Sequence, residues 1–549
     1  MRNEFRGTPY RFPTVIELWE EYRALMADGT IPSSPDLERV LRVKDVRTDS
    51  GVAPITVLTK PYPCPGKCVY CPTEARMPKS YISSEPAAAR ALRLEFDPYT
   101  QVTERVQTLE RNGHEAKKIE LIIKGGTWSS YRWDYRQWFV QRCFEAANDL
   151  GMDETGPATA HVFRSRSSRD EKTLAASPVS LAKAQKENET AAYRIIGLTI
   201  ETRPDWVNAQ EIIRLRELGC TRVELGVQTL QDDVLELTQR GHTVEATIRA
   251  TALLRQAGFK TDFHVLPGQP GSTPEKDLED FRTLFADARY KPDMIKLYPC
   301  VVLPTAELHA WAEKGLFTPL EGEPLKELLI QMQLLVPRYC RISRLIRDFP
   351  EADISYGNKV TNLRETLEAE MKKRGFRCQC LRCREVGHVA DIDPGAVEPV
   401  LFEERFETVG GEEIFLSMED PERRAVFAFL RLRLPERPED LRISMEMAGD
   451  PIFAKESLAI EEAFPSLTGT AFVRELHTYG TALALSQNRS DASQHRGYGQ
   501  HLMLHAEEIA RKEGYCRMAV ISGIGVREYY RALGYEEQET YMQKTLERS

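Results

Sequence analysis

The sequence predicts an α/β protein. A parallel strand–helix barrel, partial or full, is followed by a short cysteine-bearing linker and a second α/β domain. Three observations predict it. Strand-like and helix-like stretches alternate from Ala53 to Tyr298, the pattern of a parallel sheet with outer helices. Composition shifts near Asp391, where short strands begin again. A glycine-marked helix start at Gly497 lies inside that second region. The 549 residues, 42% of them hydrophobic, suffice for large cores in several domains.

Residues 1–52 read as an N-terminal arm of short pieces broken by Pro and Gly. It carries scattered cations: Arg2, Arg6, Arg11, Arg39, Arg42, Lys44 and Arg47. Residues 53–318 form the barrel. Its strands are Ile55–Leu58, Ile119–Ile123, Ile195–Ile200, Arg222–Val227, Thr261–Leu266 and Met294–Tyr298. Helical runs fall between them, such as Trp133–Leu150, Val244–Gln256 and Pro274–Ala288. The polar, Ser- and Ala-rich stretch Arg164–Glu189 reads as an insertion. Residues 319–390 form a basic linker that starts with a helix over Leu316–Pro337. From Arg338 to Arg384 there are twelve Lys or Arg against six Asp or Glu, a local charge of +6 in a chain of net charge −9. Such a band is either a phosphate-binding face or a solvated surface. Residues 391–549 form the second domain.

Cys64-Pro-Gly-Lys-Cys68-Val-Tyr-Cys71 is the most informative stretch. It follows the first strand, at the end of a barrel where chemistry sits. Three thiolates in a C-x-x-x-C-x-x-C array hold three irons of a 4Fe–4S cluster and leave the fourth open. An open iron can chelate S-adenosylmethionine (SAM) and pass an electron to its sulfonium. Ordinary cluster proteins close all four positions with cysteine. A zinc site, the competing reading, asks for a fourth local ligand.

Further barrel positions suit SAM. Gly125, Gly126 and Thr127 follow the second strand, where glycine lets a backbone approach a ligand. Glu201 and Gln228 end the next two strands and are candidates for its ribose and carboxylate, against a plain helix-capping role. Lys296 and Tyr298 end the last strand, where an inward Lys can meet phosphate or carboxylate.

Cys378, Cys380 and Cys383, with His388 close behind, form a second constellation. Three thiolates and an imidazole would close a tetrahedral zinc site in a segment with little core of its own. Cys300, Cys340 or another histidine could stand in for His388, and three free thiols are the alternative.

In the second domain Gln494, Arg496, Gly497 and Gly499 belong to a Q-x-x-G-x-G loop before a helix. Backbone N–H groups at a helix start bind pyrophosphate, and this pattern is the coenzyme A loop of GNAT acyltransferases. The strand Ala471–His477 precedes it and could pair with a pantetheine arm. Ser522–Tyr530 follows and brings Tyr529 and Tyr530 toward a thioester.

No apolar run is long enough to span a bilayer, and the N-terminus lacks the apolar core of a signal peptide. Eleven cysteines in so long a chain do not make a secreted disulfide framework. No membrane partner and a cytoplasmic location are therefore expected.

A SAM-radical barrel joined to a GNAT domain is a rare pairing. With Glu-Thr-Arg-Pro-Asp from 201, Val-Arg-Glu-Leu-His from 473 and Ser-Gly-Ile-Gly-Val-Arg-Glu-Tyr-Tyr-Arg from 522, the chain resembles the catalytic subunit of Elongator, in its bacterial form. Eukaryotic members separate the first two cluster cysteines by more residues, whereas three separate them here. The resemblance implies a tRNA wobble-uridine enzyme. Acetyl-CoA would bind at Tyr498, Gly499 and Gln500, along Glu475, Leu476, His477 and Thr478, with Lys118 reaching it from the barrel. A 5′-deoxyadenosyl radical would take hydrogen from the acetyl methyl. The carbon radical would add to C5 of uridine, and thioester hydrolysis would leave 5-carboxymethyluridine. The tRNA anticodon stem-loop would be the macromolecular partner, its base splayed out to be reached. An electron donor is implied, and the resemblance leaves room for accessory subunits or a homodimer. The competing expectation is a protein lysine acetyltransferase whose iron–sulfur cluster is only structural. A third is a tRNA-binding scaffold without chemistry.

Overall fold

The computed structural model describes residues 13–42, 51–150, 178–389, 391–436, 450–480 and 497–547. Seven strands form the first sheet: β1 (Ala53–Leu58), β2 (Lys118–Lys124), β3 (Arg194–Thr202), β4 (Arg222–Gln228), β5 (Lys260–Val265), β6 (Met294–Leu297) and β7 (Arg341–Arg344). They lie side by side in chain order and every pair is parallel. Parallel neighbours need a crossover between them, and the intervening helices supply it. The partial barrel of the sequence reading is therefore the form adopted, with β1 and β7 as its two edges. The sheet continues past residue 318, because the basic segment contributes β7.

The strand period of two separates an apolar outer face from an inner face that carries most of the charged residues. On β2, Ile119, Leu121 and Ile123 are buried against the helices. Glu120, Ile122 and Lys124 line the interior. β4 repeats the pattern, with Val223, Leu225 and Val227 outside and Arg222, Glu224 and Gly226 inside. A polar lumen in a parallel sheet leaves room for ligands rather than a packed core. Here it is a cavity of about 1270 Å³.

The second sheet holds β8 (Val400–Thr408), β9 (Gly411–Glu419), β10 (Val426–Pro435), β11 (Ala471–Thr478), β12 (Arg517–Val520), β13 (Glu536–Gln538) and β14 (Tyr541–Thr545). Its order is β13-β14-β12-β11-β10-β9-β8. Only β11 and β12 run parallel. They pair over Ala471–Val473 and Met518–Val520 and then separate. At this point Arg474 is an extra residue in β11, a bulge opposite Arg431 and Leu432 of β10, and it bends β11 away. The helix Tyr498–Lys512 packs on this sheet through Leu502, Ala506 and Ile509.

The two sheets share one continuous core. Arg474 of β11 donates to both Asp293 carboxylate oxygens and to Glu413. Arg431 bonds Glu475 at 2.8 Å and the carbonyl of Tyr339 at 2.8 Å. Glu189 is held by Arg527 and Arg531 across the same junction. No described helix is long and apolar enough to cross a membrane.

Candidate functional site

The cysteine loop follows β1 and closes one end of the lumen. Backbone bonds pin it: Val69 N–H donates to Thr238, and Leu308 N–H donates to Val69. Cys71 sits beside Cys68, while the Cys64 sulfur meets Thr127 Oγ1 at 3.5 Å. All three line the cavity. Cys64 thus stands apart from the Cys68–Cys71 pair, and the three sulfurs do not meet within the reach of one ion.

The surroundings fit an anionic group. Arg240 Nη1 lies 3.6 Å from the Cys68 sulfur. Arg203 Nη1 is buried without a hydrogen-bond partner. A Cβ built on Gly66 would stand 2.3 Å from that nitrogen and 3.5 Å from the Cys68 sulfur. The bare glycine thus leaves space where cation and thiol converge. The Cys71 thiol, with Arg240 and Arg203, pulls Cys68 down to about 4 against the opposing effect of burial.

Gly125 and Gly126 turn the chain with φ of 146° and 82°. A Cβ on Gly125 would lie 1.8 Å from Thr59 Oγ1, so only glycine fits. Gly126, Thr127, Glu201 and Gln228 all line the cysteine cavity, as do Lys296 and Tyr298. Gln228 holds a left-handed φ of 74°, strain of the kind that collects where ligands bind.

Beyond these, the fold builds a charged centre that the sequence reading missed. The Glu224 carboxylate accepts from Lys124, from Lys296 at 2.5 Å and from His264 at 3.1 Å. Lys124 also pairs with Glu201 at 3.3 Å, and Tyr81 donates to Glu201 at 3.0 Å. Burial opposes the charge on Glu201, yet the neighbouring cations, Lys124 before Lys296, outweigh it and hold the carboxyl well below its usual range. Burial and Lys296 keep His264 neutral. The available signal was a charged residue at the inward position of an otherwise apolar strand.

A second cavity of about 380 Å³ opens where β11 and β12 separate. Glu475, Leu476, His477, Thr478, Gly497, Gly499, Gln500, Tyr529 and Tyr530 line one side, and Lys118, Arg194 and Lys260 of the barrel line the other. A Cβ on Gly499 would stand 3.0 Å from the Tyr529 hydroxyl, so this glycine keeps the site open. Arg194 Nε is buried and unpartnered beside Lys118. Two cations at this mouth suit a phosphate-bearing ligand such as coenzyme A. The Tyr498 ring packs edge-on against Phe427 in the core, and its backbone opens the helix. Gln494 and Arg496 lie outside the described residues.

The sulfur atoms of Cys378, Cys380 and Cys383 lie within 4.8 Å of one another. They suit a single soft ion. His388 does not join them, which corrects the expected fourth ligand. A short 3₁₀ turn, Val386–His388, swings its Nε2 to Arg382 at 3.2 Å and Glu385 at 3.6 Å, on the wall of the large cavity. Glu368 Oε1 is the carboxylate beside the thiols, 4.0 Å from Cys383.

The chain matches the Radical SAM superfamily over residues 62–284 and the Radical_SAM C-terminal domain over 292–373. It is 42% identical over 519 residues to a tRNA uridine(34) acetyltransferase of Methanocaldococcus jannaschii, covering 92% of this chain and 87% of that protein. Identity to the protein of the same name in Dehalococcoides mccartyi is 41%, over 91% of this chain and 99% of the other. Elongator complex protein 3 of Homo sapiens is 34% identical over 92% of this chain and 86% of its own length. This chain belongs to the Elongator protein 3 family. A solved structure of Elp3 from the archaeon Methanocaldococcus infernus, with residues 1–46 deleted, superposes with a TM-score of 0.71 at 38% identity. It covers 90% of this chain and 99% of that one. Membership of the radical SAM superfamily implies a 4Fe–4S cluster and SAM.

Proposed function

We propose that this protein modifies the wobble uridine of tRNA, joining the acetyl carbon of acetyl-CoA to C5 to give 5-carboxymethyluridine. One observation carries the reading. The two cavities share a wall, because Val52, Ile196, Lys260, Glu475, Leu476 and His477 line both. A thioester held in the smaller cavity therefore faces the lumen that bears the cysteine array. Hydrogen transfer needs reacting atoms about 3–3.5 Å apart, which requires two cavities that adjoin as these do. The relatives named tRNA uridine(34) acetyltransferase supply the substrate class.

In this reading Cys64, Cys68 and Cys71 hold three irons, and Arg203 and Arg240 balance the thiolate charge. When bound, the cluster would supply the electron for SAM cleavage, the chemistry that gives access to the acetyl methyl hydrogen. Gly126 and Thr127 offer backbone to the SAM amino group, and Glu201 and Gln228 stand at its ribose and carboxylate. Lys124, Lys296 and Tyr298 face the place where uridine enters. Arg341, Arg344, Lys359, Arg364 and Arg382 line the same cavity and meet anticodon phosphates. Gly497, Gly499 and Gln500 hold the coenzyme A pyrophosphate at the helix start. Cys378, Cys380 and Cys383 bind a zinc ion that ties the segment after β7 to the barrel.

The test is anaerobic reconstitution with SAM, reductant, acetyl-CoA and tRNA, followed by assay of 5′-deoxyadenosine and carboxymethylated uridine. Cys68→Ser should abolish both products. Persistence of the modified base in that variant would refute the radical assignment. Acetylation of protein amines without SAM would favour the lysine acetyltransferase instead.

A further inference from the structure

Joining a carbon to C5 leaves the product tied to coenzyme A. Water must then cleave the thioester, and a base that takes the water proton in the same step accelerates this. Resting on the function proposed above, we infer that His477 is this base, its unpartnered Nε2 lying in the wall between the coenzyme A cavity and the lumen.

The strand period places it there. On β11, Leu476 and Thr478 turn toward the coenzyme loop: a Cβ on Gly499 would lie 3.9 Å from Leu476 and 3.6 Å from Thr478. Glu475 and His477 turn the other way, toward the barrel, where Glu475 meets Lys260 at 3.2 Å. The His477 ring is fixed between Phe429, stacked at 5.7 Å, and Tyr479 at 4.5 Å. Its Nε2 is buried and has no hydrogen-bond partner among the described residues. A buried polar atom left unpaired is costly, and an arriving ligand or water is a common reason for keeping one.

The neighbours leave this ring free to accept a proton. Glu475 on its own strand and Glu385 favour the charged form. Burial first, then Arg341 on β7 and Lys260 on β5, outweigh them and lower its pKa. A neutral imidazole offers one acceptor nitrogen. The other polar groups of the wall are poorly suited. Glu475 is engaged by Lys260 and Arg431, which hold it ionised far below its ordinary range despite burial. Burial pushes Tyr529 up to about 12, so it stays protonated and can donate but not accept.

The step balances without a redox partner. A water oxygen bonds to the thioester carbonyl carbon while one water proton moves to His477 Nε2. The C–S bond breaks, coenzyme A leaves as thiolate, and the imidazolium returns the proton to that sulfur. The carboxylic acid left on uridine then ionises into solvent.

The test uses the full-length reconstituted holoenzyme with SAM, acetyl-CoA and tRNA. The readout is thiol released per 5′-deoxyadenosine formed. His477→Ala and His477→Gln should lower this ratio by about 100-fold or more. Mass spectrometry should show tRNA bearing an uncleaved coenzyme A thioester. Added imidazole should restore the ratio in the alanine variant, which leaves a space, and not in the glutamine variant. An unchanged ratio in either variant, or an alanine variant that imidazole does not rescue, overturns the inference. Wild-type enzyme that makes no carboxymethyluridine overturns the proposed function itself, and that control separates the two failures.

Discussion

Arg474 of the second sheet and Asp293, the residue before β6, are 181 positions apart in sequence, yet they form a buried two-point ion pair. Arg474 also reaches Glu413 at 2.9 Å and the Phe259 carbonyl at 2.6 Å. One guanidinium therefore spends its donors on both domains at once. This junction sets where the smaller cavity stands relative to the cysteine lumen.

Arg474→Met should destabilise the whole chain by up to about 3–5 kcal/mol, because it removes the two-point partner of buried Asp293 and leaves that carboxylate only Arg431 at 3.7 Å, while Glu413 keeps Arg433 at 3.3 Å. Urea unfolding would measure it. The double variant Arg474→Met with Asp293→Asn should recover part of the loss, a coupling that independent sites would not show. Additive effects of the two changes would mean that the pair does not act as a unit.

Gly523 makes the second close contact. A Cβ there would stand 2.0 Å from the Ile196 carbonyl oxygen, and one on Gly525 would stand 2.6 Å from Arg194 Cβ. The loop before the helix Arg527–Ala532 is thus seated directly on β3. Gly523→Ala must push the domains apart, since backbone lies in the way. A displacement of about 1 Å at a reacting pair can cost 100-fold. Carboxymethyluridine per 5′-deoxyadenosine should fall steeply in this variant, while SAM cleavage, which needs only the barrel, should persist. Equal loss of both would show damage to the barrel instead.

These contacts explain how much was legible in the sequence. The six barrel strands were readable because apolar outer residues recur every second position. β7 was not, because Arg341-Ile-Ser-Arg344 carries a single apolar residue and reads as part of a basic run. That Cys64, Cys68 and Cys71 would share one loop at the lumen was readable because their spacing is local. Glu224 as a centre for Lys124, Lys296 and His264 was not, because four strands must curl before the groups meet. His388 shows the opposite error: it is near the cysteines in sequence, but a 3₁₀ turn faces it away. Ser522–Tyr530 was read for its two tyrosines, whereas the fold also uses Gly523 and Gly525 to seat one domain on the other.

Asp277 gives a pH prediction. It is buried, accepts from the Gly268 N–H at 2.7 Å and from Ser272 at 2.6 Å, and burial pushes its carboxyl up from 3.8 to about 6. The folded state therefore favours the protonated acid. Its contribution to stability is fully present below pH 3.8 and is lost as pH rises through about 6. Relative to Asp277→Asn, which keeps the acceptor and cannot ionise, the wild type should gain roughly 1 kcal/mol between pH 7 and pH 5. Parallel pH profiles of the two proteins would show Asp277 to be unshifted.

Lys359 tests the tRNA reading. It is exposed at the rim of the large cavity, on the stretch between β7 and the helix Leu363–Lys373. A lysine in that place adds affinity through one phosphate and carries no sequence information. Lys359→Ala should weaken all tRNAs alike and reduce the slope of log affinity against log salt by about 1. The fold stays intact, since the side chain buries little. Fluorescence titration at several salt concentrations gives both quantities. A loss confined to one tRNA would indicate base contact, and an unchanged slope would remove this rim from the path of the nucleic acid.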